Sequence, residues 1–554
     1  MSPENWEPVG GLELEPTAAE TATSIEGNFL VAANPGSGKT ELLAQRADFL
    51  LRCGVCKYPR RILAISFKVD ASVNLSSRVN ERCGQTLAGR FDSYTFHAFA
   101  LSIIRGFRLK LPSENFLDPD FEIADHRVGR STLTFDDLLP FALSIIDNSE
   151  VVRRSIRATY SDVFLDEFQD CNPQQYELIK KLFCGSSSRL VAVGDNNQLI
   201  MTFARASEKT FGFFIDDFGA EMRKMFLNRR SEPRLLRFQN SFLESMDPSA
   251  MIKMDQLKGS SGELFISRFA TCSDEAKAIA QDISSWIDSD KIPPSEIAIL
   301  IRQQTAAYGW LIFKELAALG IPFRDEFNHA DLASEPLTRI LVDCLLVVSC
   351  SNEPEAYTRL SQQLEGLSRL VSRPAESEAR FNRIISQRLG AETPKNASSK
   401  LEISFKVLDE LIEEIGDDRI IALSKSYESK IYRNTLVERL KNSLQSGVLE
   451  QGSFGASLNA LTDEQSVRVL TIHKCKGLEF HSVIVVGVED ELYWGDSSVA
   501  DREFFVAISR AKKRLVLTST FHRTRPDGFT KRWSCPRSET ERFLLPAEEH
   551  LSCR

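Results

Sequence analysis

The sequence predicts an α/β protein made of two parallel-sheet lobes, each interrupted by a mainly helical insertion. Three observations predict it. Residues 25–230 alternate apolar, strand-like runs with helical stretches; a second unit of the same pattern opens near Gly262; and the stretch 330–460 is long, charged and helical in period, after which strand character returns. Alternating strands and helices imply a parallel sheet covered on both faces.

In the first lobe "NFLVAA", "RILAISF", "SDVFLD" and "RLVAVGD" are continuous apolar runs, as expected of strands buried on both sides. In the second, "ELFISRF" and "EIAILIR" flank the helix "SDEAKAIAQDISSWI". Ser273 is its predicted N-cap, and Ala276, Ile279, Ala280, Ile283 and Trp286 share one face. A further helix closes at Gly320, and "VRVLTIH", "HSVIVVGV" and "RLVLTS" return to strand character. The expected organisation is a first lobe from 1–100 and 151–228 with a short helical insertion at 101–150. A second lobe follows from 229–330 and 461–525 with a helical insertion at 331–460, and 526–554 is a C-terminal tail.

The bulk numbers bound the class. The chain has 554 residues, 42% hydrophobic and 26% charged, which is ordinary for a soluble globular protein. Its acidic N-terminus lacks the basic-then-apolar layout of a signal peptide. No apolar run approaches the roughly 20 residues of a membrane span, and the longest, "ILVDCLLVV", contains Asp343 and reads as a core helix. The 11 cysteines are scattered and odd in number, pointing to reduced thiols and a cytoplasmic protein. Cys53 and Cys56 form one C-x-x-C with no second pair at zinc spacing. A net charge of −9 gives no global support for nucleic-acid binding, which needs only a local basic groove.

"VAANPGSGKTELL" sets a Gly-rich loop between an apolar strand and an amphipathic helix. Glycines let backbone N–H groups wrap phosphates, and the helix N-terminus adds positive potential. Pro35, Gly36, Ser37, Gly38, Lys39, Thr40 and Glu41 are the candidate ATP-binding residues. Lys39 is placed to reach the β/γ-phosphates and Thr40 to ligate Mg²⁺. The strict pattern asks for glycine where Ala33 stands. In "SDVFLDEFQD", Asp166 ends a strand where a carboxylate can meet the same Mg²⁺, and Glu167 is the candidate base for the attacking water. Together the two motifs point to a nucleoside-triphosphate hydrolase.

The chain resembles a superfamily 1 helicase of the UvrD/Rep type, in which two RecA-like lobes clamp one ATP. The resemblance spans roughly residues 25–520 and rests on segments in fixed order: "NPGSGKT", "ISFKVDAS", "YTFHAFA", "TFDDLL", "FLDEFQDCNPQQYELI", "VGDNNQLI", "LNRRS", "VLTIHKCKGLEF" and "FFVAISRAKKRL". It implies that Gln198 senses the γ-phosphate from the first lobe, and that Arg230 and Arg510 enter from the second. A fixed guanidinium on transition-state charge is worth roughly 10³–10⁵ in rate in related systems. Gly477 and Glu479 would line the nucleotide cleft, with Glu479 near the ribose. The implied track for single-stranded or partly duplex DNA has Phe67 and Phe203 as base platforms, and Thr95, His97, Thr471 and His473 as backbone contacts. The implied activity is ATP-driven translocation, 3′→5′ by resemblance.

The chain departs from that family at several positions. Ala18 stands where an adenine-reading glutamine is usual, and Arg229 where a stacking tyrosine is usual. Arginine stacks on a π-face, so relaxed nucleotide specificity is expected. Asp70, Met201 and Ala204 replace a usual lysine, tyrosine and arginine, although Arg205 is adjacent to the last. These changes thin the expected grip on the strand. The insertions look short, and no nuclease-like carboxylate cluster follows "RTRPDGFTKRW", a small basic stretch. A second expectation therefore stands beside the first: a DNA-sensing ATPase subunit that gates a separate partner nuclease, as in compact relatives found in bacterial antiphage systems of the Gabija type.

Overall fold

A computed structural model describes residues 1–124, 126–200, 209–325, 335–349, 353–368, 374–389, 397–424, 430–451 and 466–552, with Leu332, Tyr427 and Leu458. Strands β1 (Phe29–Ala33), β2 (Arg61–Ser66) and β3 (Phe91–Thr95) precede a short pair, β4 (Glu122–Ile123) and β5 (Thr132–Leu133). Strands β6 (Tyr160–Leu165), β7 (Arg189–Gly194) and β8 (Glu221–Met225) complete the first sheet, in the order β3-β2-β6-β7-β1-β8. All neighbours in it are parallel. The inner strands are the apolar runs named above. The outermost, β8, reads "EMRKM" and gave no strand signal: it is a half-solvated edge, where charged residues blunt unwanted pairing.

The second sheet gathers β9 (Glu263–Thr271), β10 (Ile297–Ile301), β11 (Phe323–Asp325), β12 (Val467–Thr471), β13 (Phe480–Val486) and β14 (Ala511–His522). Its order is β11-β12-β10-β13-β14-β9, again all parallel. Two parallel sheets with helices between their strands are the α/β fold expected of two RecA-like lobes. The helix after β9, Cys272–Asp288, buries the predicted face of Ala276, Ile279, Ala280, Ile283 and Trp286. Its cap is Thr271, not Ser273, because the last residue of β9 is extended and its hydroxyl accepts the Asp274 N–H at 3.3 Å.

Residues 331–460 contribute helices only among the described residues, the first being Pro336–Ser349. Asp343 in that helix is tolerated in the core because Arg359 meets it at 2.7 Å. Among the described residues the insertion forms no core of its own. One buried cluster runs from Leu30 and Leu63 through Ile104 and Leu139 to Leu341, Leu408 and Leu440, so the insertion packs on the first lobe. Helix Asp417–Leu423 lies against helix Phe96–Phe107, where Arg105 pairs with Asp418 and covers the Phe121 ring at 5.0 Å. The C-terminal stretch also folds back. Arg523 is buried between Glu489 and Glu275 at 2.7 and 2.9 Å, and Phe543 of helix Glu541–Glu548 stacks on Phe504 at 4.2 Å. No described helix is long and apolar enough to cross a membrane.

Candidate nucleotide site and nucleic-acid face

The strand β1 ends at Ala33, and the loop Asn34–Gly38 leads directly into helix Lys39–Arg52. Gly36 and Gly38 have φ of +70° and +86°, a region that suits glycine and bends the chain into a cradle. Gly36 is also required by contact: a Cβ there would stand 2.5 Å from Asn228 Oδ1 and 2.6 Å from Arg230 Cβ. The loop is thus packed against residues 228–230, and Arg229 N–H donates to Gly36 O at 3.0 Å. Lys39 donates to the Ala33 carbonyl at 3.2 Å, which holds its ammonium over the loop. Among the described residues the buried Ser37 hydroxyl has no hydrogen-bond partner. Thr40 occupies the first helical turn. Glu41 is directed elsewhere, to Arg82 at 2.9 Å and Gln45 at 2.7 Å.

Two strands away, Asp166 and Glu167 follow β6. Asp166 is buried, donates its N–H to Ile65 O at 3.0 Å, and accepts the Glu167 N–H on Oδ1 at 2.9 Å. Glu167 sits at φ +51°, left-handed backbone that a non-glycine residue adopts at a cost of order 1–3 kcal/mol. Gln169 holds it there, donating to Glu167 Oε2 at 2.5 Å while its Oε1 accepts the Asp195 N–H at 3.0 Å. Gly194 makes room for that amide, since a Cβ would lie 2.6 Å from Gln169 Oε1. Burial, then the Glu167 charge, push the Asp166 carboxyl up from its ordinary range. Burial pushes Glu167 the same way, but the ammonium groups of Lys39 and Lys476 and the Gln169 hydrogen bond bring it well below.

The turn Asn196–Gln198 follows β7 and touches both lobes. Asp195 caps it, accepting the Asn197 N–H at 3.0 Å and Gln198 Nε2 at 2.8 Å. From the second lobe Arg510 Nη2 donates to Gln198 Oε1 at 2.8 Å. Arg510 is 1% exposed, and burial, with Arg230 nearby, lowers its guanidinium to about 10. Arg230 donates to Glu479 Oε2 at 2.8 Å and to Ser509 O at 3.0 Å. Gly477 is exposed, at φ +89°, two residues before Glu479.

Lys476 was not anticipated. Its ammonium donates to Asp170 Oδ1 at 2.7 Å and to Gln198 O at 2.8 Å, bridging the lobes. Lys476 and Asp170 each lie inside a quoted motif, but no sequence signal pairs residues 306 positions apart. The N-terminal segment was missed for the same reason. The Glu15 carboxylate accepts the N–H groups of Phe226 and Leu227 at 3.1 and 3.2 Å. The Arg229 guanidinium donates to Glu13 O, and the Gln45 amide pairs with both backbone groups of Val9 at 2.8 and 2.9 Å. Ala18 is buried in helix Pro16–Thr23.

On the expected DNA side, Phe67 is half-buried just past β2 and joins none of the packed apolar clusters among the described residues. Thr95 caps helix Phe96–Phe107, accepting the Ala98 N–H at 3.2 Å. His97 stacks on Phe135 with ring centres 4.0 Å apart. Thr471 ends β12, and its hydroxyl accepts the Lys474 N–H at 3.4 Å. His473 lies 3.4 Å from Glu503, and burial pushes its imidazole down, so it is neutral at neutral pH. Phe203, with Met201, Ala204 and Arg205, lies outside the described residues. Ile200, immediately before them, is buried in the second lobe's core.

The residues present fit Mg²⁺ by donor type. A small hard cation binds through one or two carboxylates together with substrate phosphates and keeps its waters. Asp166, just past β6, and the Thr40 hydroxyl beside the loop would be the oxygen donors for it.

Two family descriptions match the chain: "UvrD/REP helicase N-terminal domain" at residues 14–133 and 122–219, and "UvrD-like helicase C-terminal domain" at 224–329 and 353–522. The chain is similar to DNA helicase II of Escherichia coli (strain K12), 23% identical over 615 residues covering 90% of this chain and 83% of that protein. It is similar to ATP-dependent DNA helicase Rep of the same organism, 22% identical and covering 98% and 97%. With ATP-dependent DNA helicase PcrA of Leuconostoc citreum it shares 21% identity, over 91% and 81%.

Proposed function

The chain belongs to the UvrD/Rep-like helicase family, and we propose that it is an ATP-driven motor that moves 3′→5′ along single-stranded DNA and displaces a paired strand. The observation that carries this reading is the hydrogen bond from Arg510 to Gln198 across the lobe seam, beside the P-loop lysine and the acidic pair. A γ-phosphate in that seam touches both lobes, so its loss on hydrolysis changes how they fit.

In this reading Pro35, Gly36, Ser37 and Gly38 wrap the phosphates and Lys39 neutralises them. Thr40 and Asp166 hold Mg²⁺, which when bound withdraws charge from the phosphate oxygens. Glu167, kept ionised by Lys39 and Lys476 and aimed by Gln169, takes the proton of the attacking water. Gln198, Arg230 and Arg510 meet the γ-phosphate, while Arg229, Gly477 and Glu479 line the remaining nucleotide. Glu41, in the first turn of the helix, lines the same site, with its carboxylate held by Arg82. Phe67, Thr95, His97, Thr471 and His473 face the strand, and Phe203, outside the described residues, is assigned to the same track from its motif.

Replacing Lys39 by Ala, or Glu167 by Gln, is expected to abolish DNA-stimulated ATP hydrolysis with an unchanged circular-dichroism spectrum. Robust turnover in both variants would remove this site assignment. The finer alternative is a DNA-sensing subunit that gates a partner nuclease of antiphage type, and the short insertions favour it. Strand displacement by the purified chain alone decides between the two.

A further inference from the structure

Because the second sheet is parallel throughout, its strands deliver their C-terminal ends to one edge, the edge where ligands of open α/β sheets bind. Arg302 follows β10 there and Thr471 and His473 close β12. The loop from Gly487 to Asp496 follows β13 and the basic stretch from Arg523 follows β14. In that loop Trp494 is 64% exposed, whereas Trp6 and Trp286 are 8% and 7% exposed. An indole left in water on an ordered element is an apolar surface without an internal partner.

The loop is held rigidly. Arg302 Nη1 donates to Leu492 O at 2.7 Å and to Trp494 O at 2.9 Å, and its guanidinium covers the Tyr493 ring at 5.2 Å. The same arginine donates to Glu503 at 2.6 Å. Glu503 reaches His473, which is hydrogen-bonded to the Ile200 backbone of the first lobe. Trp494 therefore rests on the network that carries His473, at the lobe seam. Three of the loop's four carboxylates are engaged: Glu489 pairs with Arg523 at 2.7 Å, Asp496 caps helix Ser497–Ile508 through Ser498 N–H at 2.8 Å, and Glu491 accepts the Ser538 N–H at 3.1 Å, while Asp490 is exposed. On the same edge the stretch after β14 presents Lys531 and Arg532 to solvent. It is anchored by Trp533, whose ring lies 5.0 Å from Tyr308. Tyr308 in turn packs beneath Gly487, where an added Cβ would meet it at 3.5 Å.

We propose that Trp494 is a second-lobe stacking platform for one base of the bound single strand, and that Lys531 and Arg532 hold phosphates of that strand. The assignment rests on the DNA-motor reading and adds to it a contact from the second lobe, whereas Phe67 belongs to the first. An aromatic face accepts any base, and cations beside it accept the backbone, so the pair grips a strand without reading its sequence.

The test uses the full chain and a fluorescein-labelled oligothymidylate. Stacking worth about 1–3 kcal/mol per base means that Trp494→Ala weakens binding roughly 5- to 150-fold, while Trp494→Phe keeps most of the affinity. Unlabelled oligothymidylate is expected to quench the intrinsic fluorescence of the wild-type chain, and Trp494→Phe to lose most of that quench. The double variant Lys531→Ala, Arg532→Ala is expected to reduce the salt dependence of binding by about 0.7 per lost phosphate contact, and Trp494→Ala to leave that slope unchanged. Wild-type affinity in Trp494→Ala, with the quench persisting in Trp494→Phe, overturns the platform and leaves the indole to a protein surface. If the wild-type chain binds no single strand at all, the motor reading fails and this assignment fails with it.

Discussion

Lys476 and Asp170 form an ion pair of 2.7 Å in which the two side chains are 3% and 2% exposed, one from each lobe. The same ammonium reaches the carbonyl of Gln198, whose side chain is held by Arg510. Nucleotide site and lobe seam therefore share one hydrogen-bonded cluster.

Removing one member of a buried pair strands the other charge, at a cost of roughly 3–5 kcal/mol. Lys476→Met is expected to lower the thermal midpoint clearly, and Lys476→Met with Asp170→Asn to cost less than the sum of the two single changes. Thermal melts of the four proteins measure that coupling, and strict additivity would show that the pair contributes nothing.

Arg510 donates across the seam from Nη2, while the Val506 carbonyl accepts from its Nε at 2.9 Å and the Leu478 carbonyl from its Nη1 at 3.2 Å. Lysine cannot reproduce this fork. Arg510→Lys is expected to reduce the ATPase rate by at least about 10³-fold, within the range for a guanidinium on transition-state charge. Steady-state hydrolysis at saturating ATP and DNA is the measurement.

Arg229 has its guanidinium on Glu13 and its backbone on Gly36, and Ala18 presents no amide. Weak base reading is the expected consequence. Hydrolysis of ATP, GTP and CTP is expected to agree within about one kcal/mol of transition-state energy, or roughly fivefold, and Arg229→Tyr to sharpen the preference. Strict use of ATP by the wild-type chain would count against this.

Glu41 gives a pH-dependent signature. Although burial opposes it, its hydrogen bond and charge contacts with Arg82 hold its carboxyl below the ordinary glutamate range of about 4.3. A carboxyl depressed in the folded state stabilises fully above its unfolded pKa and loses that contribution as pH falls through the folded value. Glu41→Gln is therefore expected to melt below wild type at pH 7, with the gap closing under acid conditions past that range. A constant gap across pH would remove the ion pair as its cause.

The parts legible in the sequence are those whose cause is local. Strands buried on both faces show as unbroken apolar runs, and the P-loop and the acidic pair are contiguous signals. β8 was illegible because an edge strand needs no apolar face, and "EMRKM" has none. The cap at Thr271 was misplaced by two residues because the extended end of β9 decides it, not residue preference. Lys476, Gln169 and Glu15 act through partners that only folding brings near. Helix Glu541–Glu548 buries Phe543, Leu544 and Ala547, too few positions to display a period. Thr95 and His97, expected to contact the strand, serve inside the protein, one as a cap and one as a stacked ring.

The helices of 331–460 are threaded out of the second lobe yet share their apolar core with the first. Lineage along the chain and allegiance in space diverge there. Excising the insertion would expose oily surface on the lobe that had lost none of its own residues, and leave the parent lobe nearly dry. A shortened chain would fail at a distance from its scar.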